Sequence, residues 1–140
     1  MVEKAINNTD GYDLDEIITD IIISYELYNS KDIIDSRVYH SSIVTCIRGL
    51  GNVEEKPIAK HFKDFYFYGI QNDIDPEAVW RHLMNLVKRG IITYDEKPPK
   101  EGYNNIDRRL RHFEIIDKDY AIKRYNYICN NRNKLREKHA

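Results

Sequence analysis

The 140-residue sequence has few of the features that mark disulfide-stapled, zinc-binding or membrane-spanning proteins. Its two cysteines, Cys46 and Cys129, lie far apart with no Cys-x-x-Cys spacing, which argues against a disulfide framework or a zinc ribbon. No apolar run reaches the roughly 18 residues of a membrane span, because Asp20 and Glu26 interrupt the isoleucine-rich stretch that begins at Ile17. There is no signal peptide, so we expect a protein of the reducing cytoplasm.

Motifs for catalysis and metal binding are also missing. The sequence has no Gly-rich phosphate loop, no nucleophile elbow and no His-Glu-x-x-His pair. The histidines and cysteines follow no recognised ligand spacing. We therefore predict a non-enzymatic protein with no metal and no cofactor.

What the sequence does contain is the composition of a globular protein. Hydrophobic residues make up 41% and charged residues 32%, and the length suits one domain. A net charge of −1 hides an asymmetry, because residues 1–55 carry 11 acids and 4 bases whereas residues 56–140 carry 12 acids and 18 bases. Either a nucleic-acid face or two oppositely charged helices packed together would explain this split.

The N-terminal part of the chain predicts a lead-in followed by a helix. Residues 1–12 lack periodicity and are predicted to be a flexible lead-in. A helix is predicted over 13–29, where Asp13 and Glu16 resemble a capping box. Its apolar residues alternate spacings of four and three, as expected for a helix that packs on another helix.

Two shorter helices are predicted next. The first begins near Ser36 and ends at the helix-stopping Gly49. The second covers 57–65, with proline at its first position. An aromatic-rich link, 66–73, then leads to the best marked helix of the chain.

The helix over 76–89 has a cap at both ends. Asp75 is the predicted N-cap, Pro76 the first helical residue and Gly90 the C-terminal stop. Residues placed at 100° intervals fall on a dry arc and a wet arc. The dry arc contains Val79, Leu83, Leu86 and Val87, and the wet arc contains Arg81, Asn85 and Lys88.

Two strands and a basic loop follow. β-Branched and aromatic residues predict strands over 91–94 and 111–116. The loop between them, 95–110, is long and rich in lysine and arginine. A last helix is predicted over 118–136, ending in a basic tail that frays.

This order of elements is that of a winged helix-turn-helix domain, and two segments carry a family resemblance. "AVWRHLMNLVKRGIITYD" resembles the recognition helix and first wing strand of the MarR-type transcription regulators. "DRRLRHFEII" resembles their second wing segment, with an Asp-x-Arg at Asp107 and Arg109. The resemblance covers about residues 75–117.

The resemblance implies a fold, an assembly and a mode of binding. The fold is α+β and mostly helical, a winged helix-turn-helix core over 36–117 within a single domain over 13–140. In that family the terminal helices, here 13–29 and 118–136, pair the subunits of a homodimer. Arg109 would enter the minor groove. Two departures are a longer link between the helices of the motif and one C-terminal helix where the family often has two.

Double-stranded DNA is therefore the predicted partner, with helix 76–89 in the major groove and the loop 95–110 on the minor groove or backbone. Arginine pairs with guanine and asparagine with adenine, so Arg81 and Asn85 are expected to read bases while lysines hold phosphates. The predicted contacts are Lys60, Lys63, Arg81, Asn85, Lys88, Lys97, Lys100, Arg108, Arg109 and Arg111. The alternative is that the helix residues form an ordinary solvated face.

The aromatic link leaves a second function open. Tyr66, Phe67 and Tyr68, with Trp80, either stack on the bases of a single strand or close the core beneath the link. If exposed, the first three would favour a winged-helix module that binds proteins in a nucleic-acid-processing or replication assembly. The sequence does not identify a DNA target, an effector ligand, or activator against repressor action.

Overall fold

A computed structural model describes residues 8–9, 12–28, 38–49, 62–96 and 111–139. These residues form five helices, a three-stranded antiparallel sheet and a two-stranded hairpin, so the α+β, mostly helical class is confirmed. The helices are α1 (Leu14–Leu27), α2 (His40–Arg48), α3 (Pro76–Lys88), α4 (Lys118–Asn130) and α5 (Arg132–Lys138). The strands are β1 (Asn8–Thr9), β2 (Tyr12–Asp13), β3 (Val38–Tyr39), β4 (Ile92–Glu96) and β5 (Arg111–Ile115).

Helix α1 forms the centre of the molecule. The Asp13 carboxylate accepts hydrogen bonds from the backbone N–H groups of Asp15 and Glu16, which confirms the predicted N-cap. The apolar residues of α1 are buried almost all round, and the helix contacts α2, α3, α4, β3 and β5. Because a helix that is apolar on most faces has to be enclosed, α1 serves as the shared core of the other elements.

The region before α1 differs from its prediction. Asn8–Thr9 pairs with Tyr12–Asp13 as an antiparallel ladder, where no regular structure was expected. The rest of the predicted lead-in lies outside the described residues. A backbone pairing this short needs no side-chain periodicity, so the sequence pattern carries no sign of it.

The predicted second helix is shorter than expected. Val38 and Tyr39 form β3 and pair with Phe113 and His112 of β5, so the helix begins only at His40. A β-branched and an aromatic residue suit a strand when a partner strand lies beside them. The predicted start near Ser36 lies outside the described residues. The predicted stop is confirmed, because Gly49 adopts φ +79° at the C-terminus of α2.

The link before α3 is tied to the end of α2. The backbone N–H groups of Gly69 and Gln71 donate to carbonyls of α2 at 2.8 and 3.1 Å, and the Arg48 guanidinium donates to the Ile74 carbonyl at 2.7 Å. Gly49 and Gly69 pack backbone on backbone, since a Cβ at Gly49 would lie 3.0 Å from the Gly69 Cα. The link therefore holds α2 and α3 side by side in spite of its length.

Residues 62–70 form successive turns, with backbone bonds from Phe65 to Phe62 and from Tyr68 to Phe65. In the described part of the predicted third helix, Phe62 is 3₁₀-helical and residues 63–65 form a turn and a bend, so no α-helix runs through 62–65. The remainder of that prediction, 57–61, lies outside the described residues. Phe62 is fully buried and packs against Tyr25.

Helix α3 matches its prediction at both ends. Asp75 caps the helix by accepting from the Glu77 N–H, and Pro76 is its first residue. At the other end Gly90 adopts φ +76°, and the Gly90 and Ile91 N–H groups donate back to α3 carbonyls in a Schellman motif. These caps fix where the helix stops and where β4 begins.

The sheet has the order β3-β5-β4 and is antiparallel throughout. β4 runs two residues further than the predicted 91–94, and β5 matches the predicted strand to within one residue. Glu96 pairs with Arg111 at the open end of this hairpin. The loop residues 97–110, including Asp107 and Arg109, lie outside the described residues.

The C-terminal prediction of one helix over 118–136 is wrong. α4 ends at Asn130 and α5 starts at Arg132, because Asn131 leaves the helical region and its side chain donates to the Tyr127 carbonyl at 2.8 Å. The predicted frayed tail is α5, whose Leu135 is buried. None of the described helices combines the length and hydropathy that a bilayer span requires.

Candidate nucleic-acid interface

The exposed face of α3 carries the three side chains predicted to contact DNA. Arg81, Asn85 and Lys88 are all exposed, and successive members lie about one helical turn apart. Within the described parts of the chain, Arg81 and Lys88 make no hydrogen bond or ion pair. The opposite face is dry as predicted, with Val79, Leu83 and Leu86 buried. The face defined by Arg81, Asn85 and Lys88, the α3 face, thus presents two uncompensated positive charges to solvent.

A contact with α1 positions the C-terminal half of α3. The two carboxylate oxygens of Asp15 accept separately, one from His82 Nδ1 at 2.7 Å and the other from Arg89 Nη1 at 3.1 Å. Arg89 Nη1 also donates to Asn85 Oδ1 at 3.4 Å. Burial alone would raise the pKa of Asp15, but the hydrogen bonds and charges of His82 and Arg89 outweigh it and lower that pKa.

Sequence reasoning missed this contact. Arg89 follows Asn85 by four residues and His82 by seven, which places all three on neighbouring rows of one helix. That spacing was available in the sequence as a local signal. The partner, Asp15, lies 74 residues away from Arg89, and no local pattern pairs the two.

The N-terminus of α3 is less suited to DNA. Asp73, Asp75 and Glu77 are exposed there. A helix N-terminus otherwise attracts phosphate, and carboxylates at that end oppose it. Contact with a polyanion is therefore favoured along the middle and C-terminal half of α3.

Of the remaining predicted contacts, only Lys63 has a side chain among the described residues. Lys63 is exposed, but the next residue, Asp64, accepts from Arg136 through its backbone carbonyl and lies against α5. Arg111 pairs with Glu96 through its backbone, and nothing is described of its side chain. The other predicted contacts, Lys60, Lys97, Lys100, Arg108 and Arg109, lie outside the described residues.

Acidic residues of α1 and basic residues of the C-terminal helices pair within the chain. The Arg124 guanidinium of α4 donates to both oxygens of Asp20, at 2.9 and 2.8 Å, and to Glu16 at 2.7 Å. Lys138 of α5 donates to the second Glu16 oxygen at 3.0 Å, and Tyr66 donates to Asp20 at 2.5 Å. We call these five residues the α1–α5 network. Oppositely charged helices therefore pack together here, which was one of the two explanations offered for the uneven distribution of charge along the sequence.

Burial and pairing act on the two carboxyls of the network differently. Burial raises the pKa of Asp20, which is only 1% exposed, and Arg124 and Tyr66 offset this in part. Glu16 is less buried, so Lys138 and Arg124 outweigh its desolvation and lower its pKa. The network therefore combines one enclosed carboxyl with one whose charge the surrounding bases stabilise.

The aromatic link closes the core. Phe67 is fully buried, Tyr66 is 4% exposed, and Tyr68 is partly buried against the core. Trp80 is also partly buried and packs edge-on against His40 at 5.4 Å. The reading of these residues as core is confirmed, and Tyr66–Tyr68 do not form the exposed patch on which the protein-interaction alternative depended.

A groove of about 660 Å³ lies beside the C-terminus of α3. It is lined by five carboxylates together with Arg89, Arg124 and Lys138, and every one of these carboxylates caps a helix or holds a cation. In the described part of the chain, no cluster of histidine, cysteine, aspartate or glutamate is suited to a metal ion. The groove's charged groups are thus engaged in holding α1, α3 and α4 together.

The chain matches no protein-family model, no curated protein and no solved structure.

Proposed function

We propose that this chain is a winged-helix regulator that binds double-stranded DNA, with α3 in the major groove and the basic loop between β4 and β5 on the minor groove or backbone. The observation that carries the proposal is the α3 face. Its two cations have no partner in the described residues, whereas the acidic and basic groups between α1 and the C-terminal helices are paired. An arginine and a lysine without a partner in the described residues, together with an asparagine on the same exposed helix face, supply donors that base edges and phosphates accept.

The topology supports this proposal. A strand after the first helix, two further helices and a β-hairpin give the sheet order β3-β5-β4. Winged-helix domains share this arrangement, in which the helix before the hairpin faces the major groove. α3 occupies that position, and it packs on both α1 and α2. The connection between α2 and α3 is longer than in the family, but the hydrogen bond from Arg48 to the Ile74 carbonyl ties it to the end of α2.

The finer assignment to a MarR-type regulator rests on the sequence resemblance over residues 75–117. The division of the C-terminal region into α4 and α5 brings the chain closer to the family pattern. Asp107 and Arg109, the Asp-x-Arg of the predicted wing, are the residues at which this assignment can be tested.

Dimerisation is part of the proposal, with a change in the surface involved. The seam of α1 is buried within its own chain, so it does not serve as the subunit contact in this conformation. The exposed large apolar side chains of the described residues lie on or beside α4: Ile116, Tyr120, Ile122 and Tyr127. We therefore expect α4, rather than α1, to contribute most of a homodimer interface.

The proposal is tested by titrating a fluorescent duplex of mixed sequence with protein at several salt concentrations. About six phosphate contacts should give a slope of log affinity against log salt near −5. Arg81→Ala combined with Lys88→Ala should weaken binding at least tenfold and make the slope shallower by about 1 to 2.

The matched control removes two charges elsewhere. Lys123 and Lys134 are exposed on α4 and α5 and make no ion pair in the described residues. Their double alanine variant carries the same net charge as the α3 variant and should bind almost as tightly as wild type. A salt-independent affinity, or an equal loss in both double variants, would contradict the proposal.

A further inference from the structure

We infer that Asn85 and Arg89 form a reading pair that presents only hydrogen-bond donors to DNA, and that this pair selects guanine over adenine. The inference rests on the proposed function and concerns the specificity of the same face. It replaces the sequence-based expectation that Asn85 pairs with adenine.

The geometry of the pair fixes which end of the Asn85 amide faces outward. Arg89 Nη1 lies 3.4 Å from Asn85 Oδ1. A guanidinium has donors and no acceptor, so it attracts the oxygen of the amide and not the nitrogen. The Asn85 Nδ2 group, with its two donors, is therefore turned away from Arg89.

Asp15 keeps the Arg89 guanidinium in this position. The carboxylate is 16% exposed, and its other oxygen is held by His82, whose side chain is 10% exposed. The Arg89 side chain is half exposed, and both of its hydrogen bonds, to Asp15 and to Asn85, are made by Nη1. Asp15 thus acts as a positioning residue for a surface that it does not itself form.

The donor pattern discriminates between the two purines. Adenine offers N7 as acceptor and N6 as donor, so an asparagine reads it by donating to one and accepting from the other. With Oδ1 facing the cationic Arg89, an approaching N6–H group meets a second set of donors and is disfavoured. Guanine offers two acceptors, N7 and O6, which match the donors of Asn85 and Arg89.

The experiment selects duplexes from a randomised pool with wild type, Asn85→Ala, Arg89→Ala and Asp15→Asn, followed by sequencing. The position read by the pair is the one at which Asn85→Ala changes the selection. Wild type should favour guanine there. Arg89→Ala frees the amide oxygen, so the preference should move to adenine, by about tenfold in the ratio of the two bases. Asp15→Asn should weaken the guanine preference.

Lys88→Ala is the control for charge, since Lys88 is a cation on the same helix with no contact in the described residues. It should lower affinity for all duplexes and leave the base preference unchanged. Thermal melting of each variant checks that a changed selection does not come from unfolding.

Three outcomes overturn the inference while leaving DNA binding intact. They are adenine at that position in wild type, a loss of selection in Arg89→Ala with no gain of adenine, and no altered position in Asn85→Ala. The second would mean that Arg89 reads guanine alone. Failure of wild type to retain any duplex would contradict the proposed function itself, and the inference with it.

Discussion

The α1–α5 network and the α3 face use the same kinds of charged residue in opposite ways. In the network each base lies within about 3 Å of a carboxylate, and Asp20 is enclosed. On the α3 face, Arg81 and Lys88 have no partner in the described residues. Removing a residue should therefore affect stability in the first region and binding in the second.

The difference also explains why net charge is a poor guide to function here. Eighteen bases in residues 56–140 suggest a nucleic-acid surface. Arg124 and Lys138 are among them, yet both serve to hold α4 and α5 on α1. On α3, by contrast, Arg81 and Lys88 have no such partner in the described residues, so their charges remain available to a polyanion.

The largest effect on stability is expected for Arg124→Ala. This change leaves Asp20, which is 1% exposed, without its cation, and breaking a buried pair from one side costs about 3 kcal/mol of unfolding free energy. Urea unfolding measures the loss. Lys123→Ala, the exposed neighbour on α4, should change stability by less than about 0.5 kcal/mol.

Removing both partners sharpens this prediction. Asp20→Asn combined with Arg124→Met leaves neither charge of this pair. The double variant should therefore lose less unfolding free energy than Asp20→Asn and Arg124→Met lose when their separate losses are added. A loss below about 1 kcal/mol in Arg124→Ala would show that water reaches Asp20 and that the network is not enclosed.

A second, smaller effect depends on pH. The pKa of Glu16 is lowered in the folded state, because Lys138 and Arg124 outweigh its desolvation. A carboxyl with a lowered pKa stabilises the fold above its unfolded value, here 4.5, and loses that contribution as pH falls through its folded value. Glu16→Gln should therefore be less stable than wild type by about 1 kcal/mol at pH 7, and this difference should close as pH falls below 4.5.

Glu137→Gln is the control, because Glu137 is exposed on α5 and makes no ion pair in the described residues. Its stability should follow that of wild type across the same pH range. If the difference in unfolding free energy between Glu16→Gln and wild type stayed constant down to pH 3, the loss would come from the shape of the side chain and not from its charge.

The two regions differ, too, in how far sequence reasoning reached. Helix α3 was predicted at both ends and on both faces, because Asp75, Pro76 and Gly90 act within one turn of the helix. The oppositely charged partners of the network lie more than 100 residues apart in the chain, as Glu16 and Arg124 do. The sequence could suggest that opposite charges meet, but not whether they meet within one chain or between two.

Two of the errors in secondary structure have different physical causes. β3 has only two residues, and its identity depends on a partner strand more than 70 residues later. The break at Asn131 comes from a side chain that bonds to the preceding turn, with no glycine or proline to mark it. Pairing with a distant strand determines β3, whereas a local side-chain hydrogen bond determines the break at Asn131.

The smallest expected effect on stability is that of Arg81→Ala, and it tests the comparison most directly. Arg81 is exposed and makes no hydrogen bond or ion pair in the described residues, so its removal should change the unfolding free energy by less than about 0.5 kcal/mol. The same variant should lose DNA affinity, since its guanidinium is a principal donor of the α3 face. Urea unfolding and duplex titration on one preparation measure both. A stability loss comparable to that of Arg124→Ala would mean that Arg81 has a structural partner and that the α3 face is not a free surface.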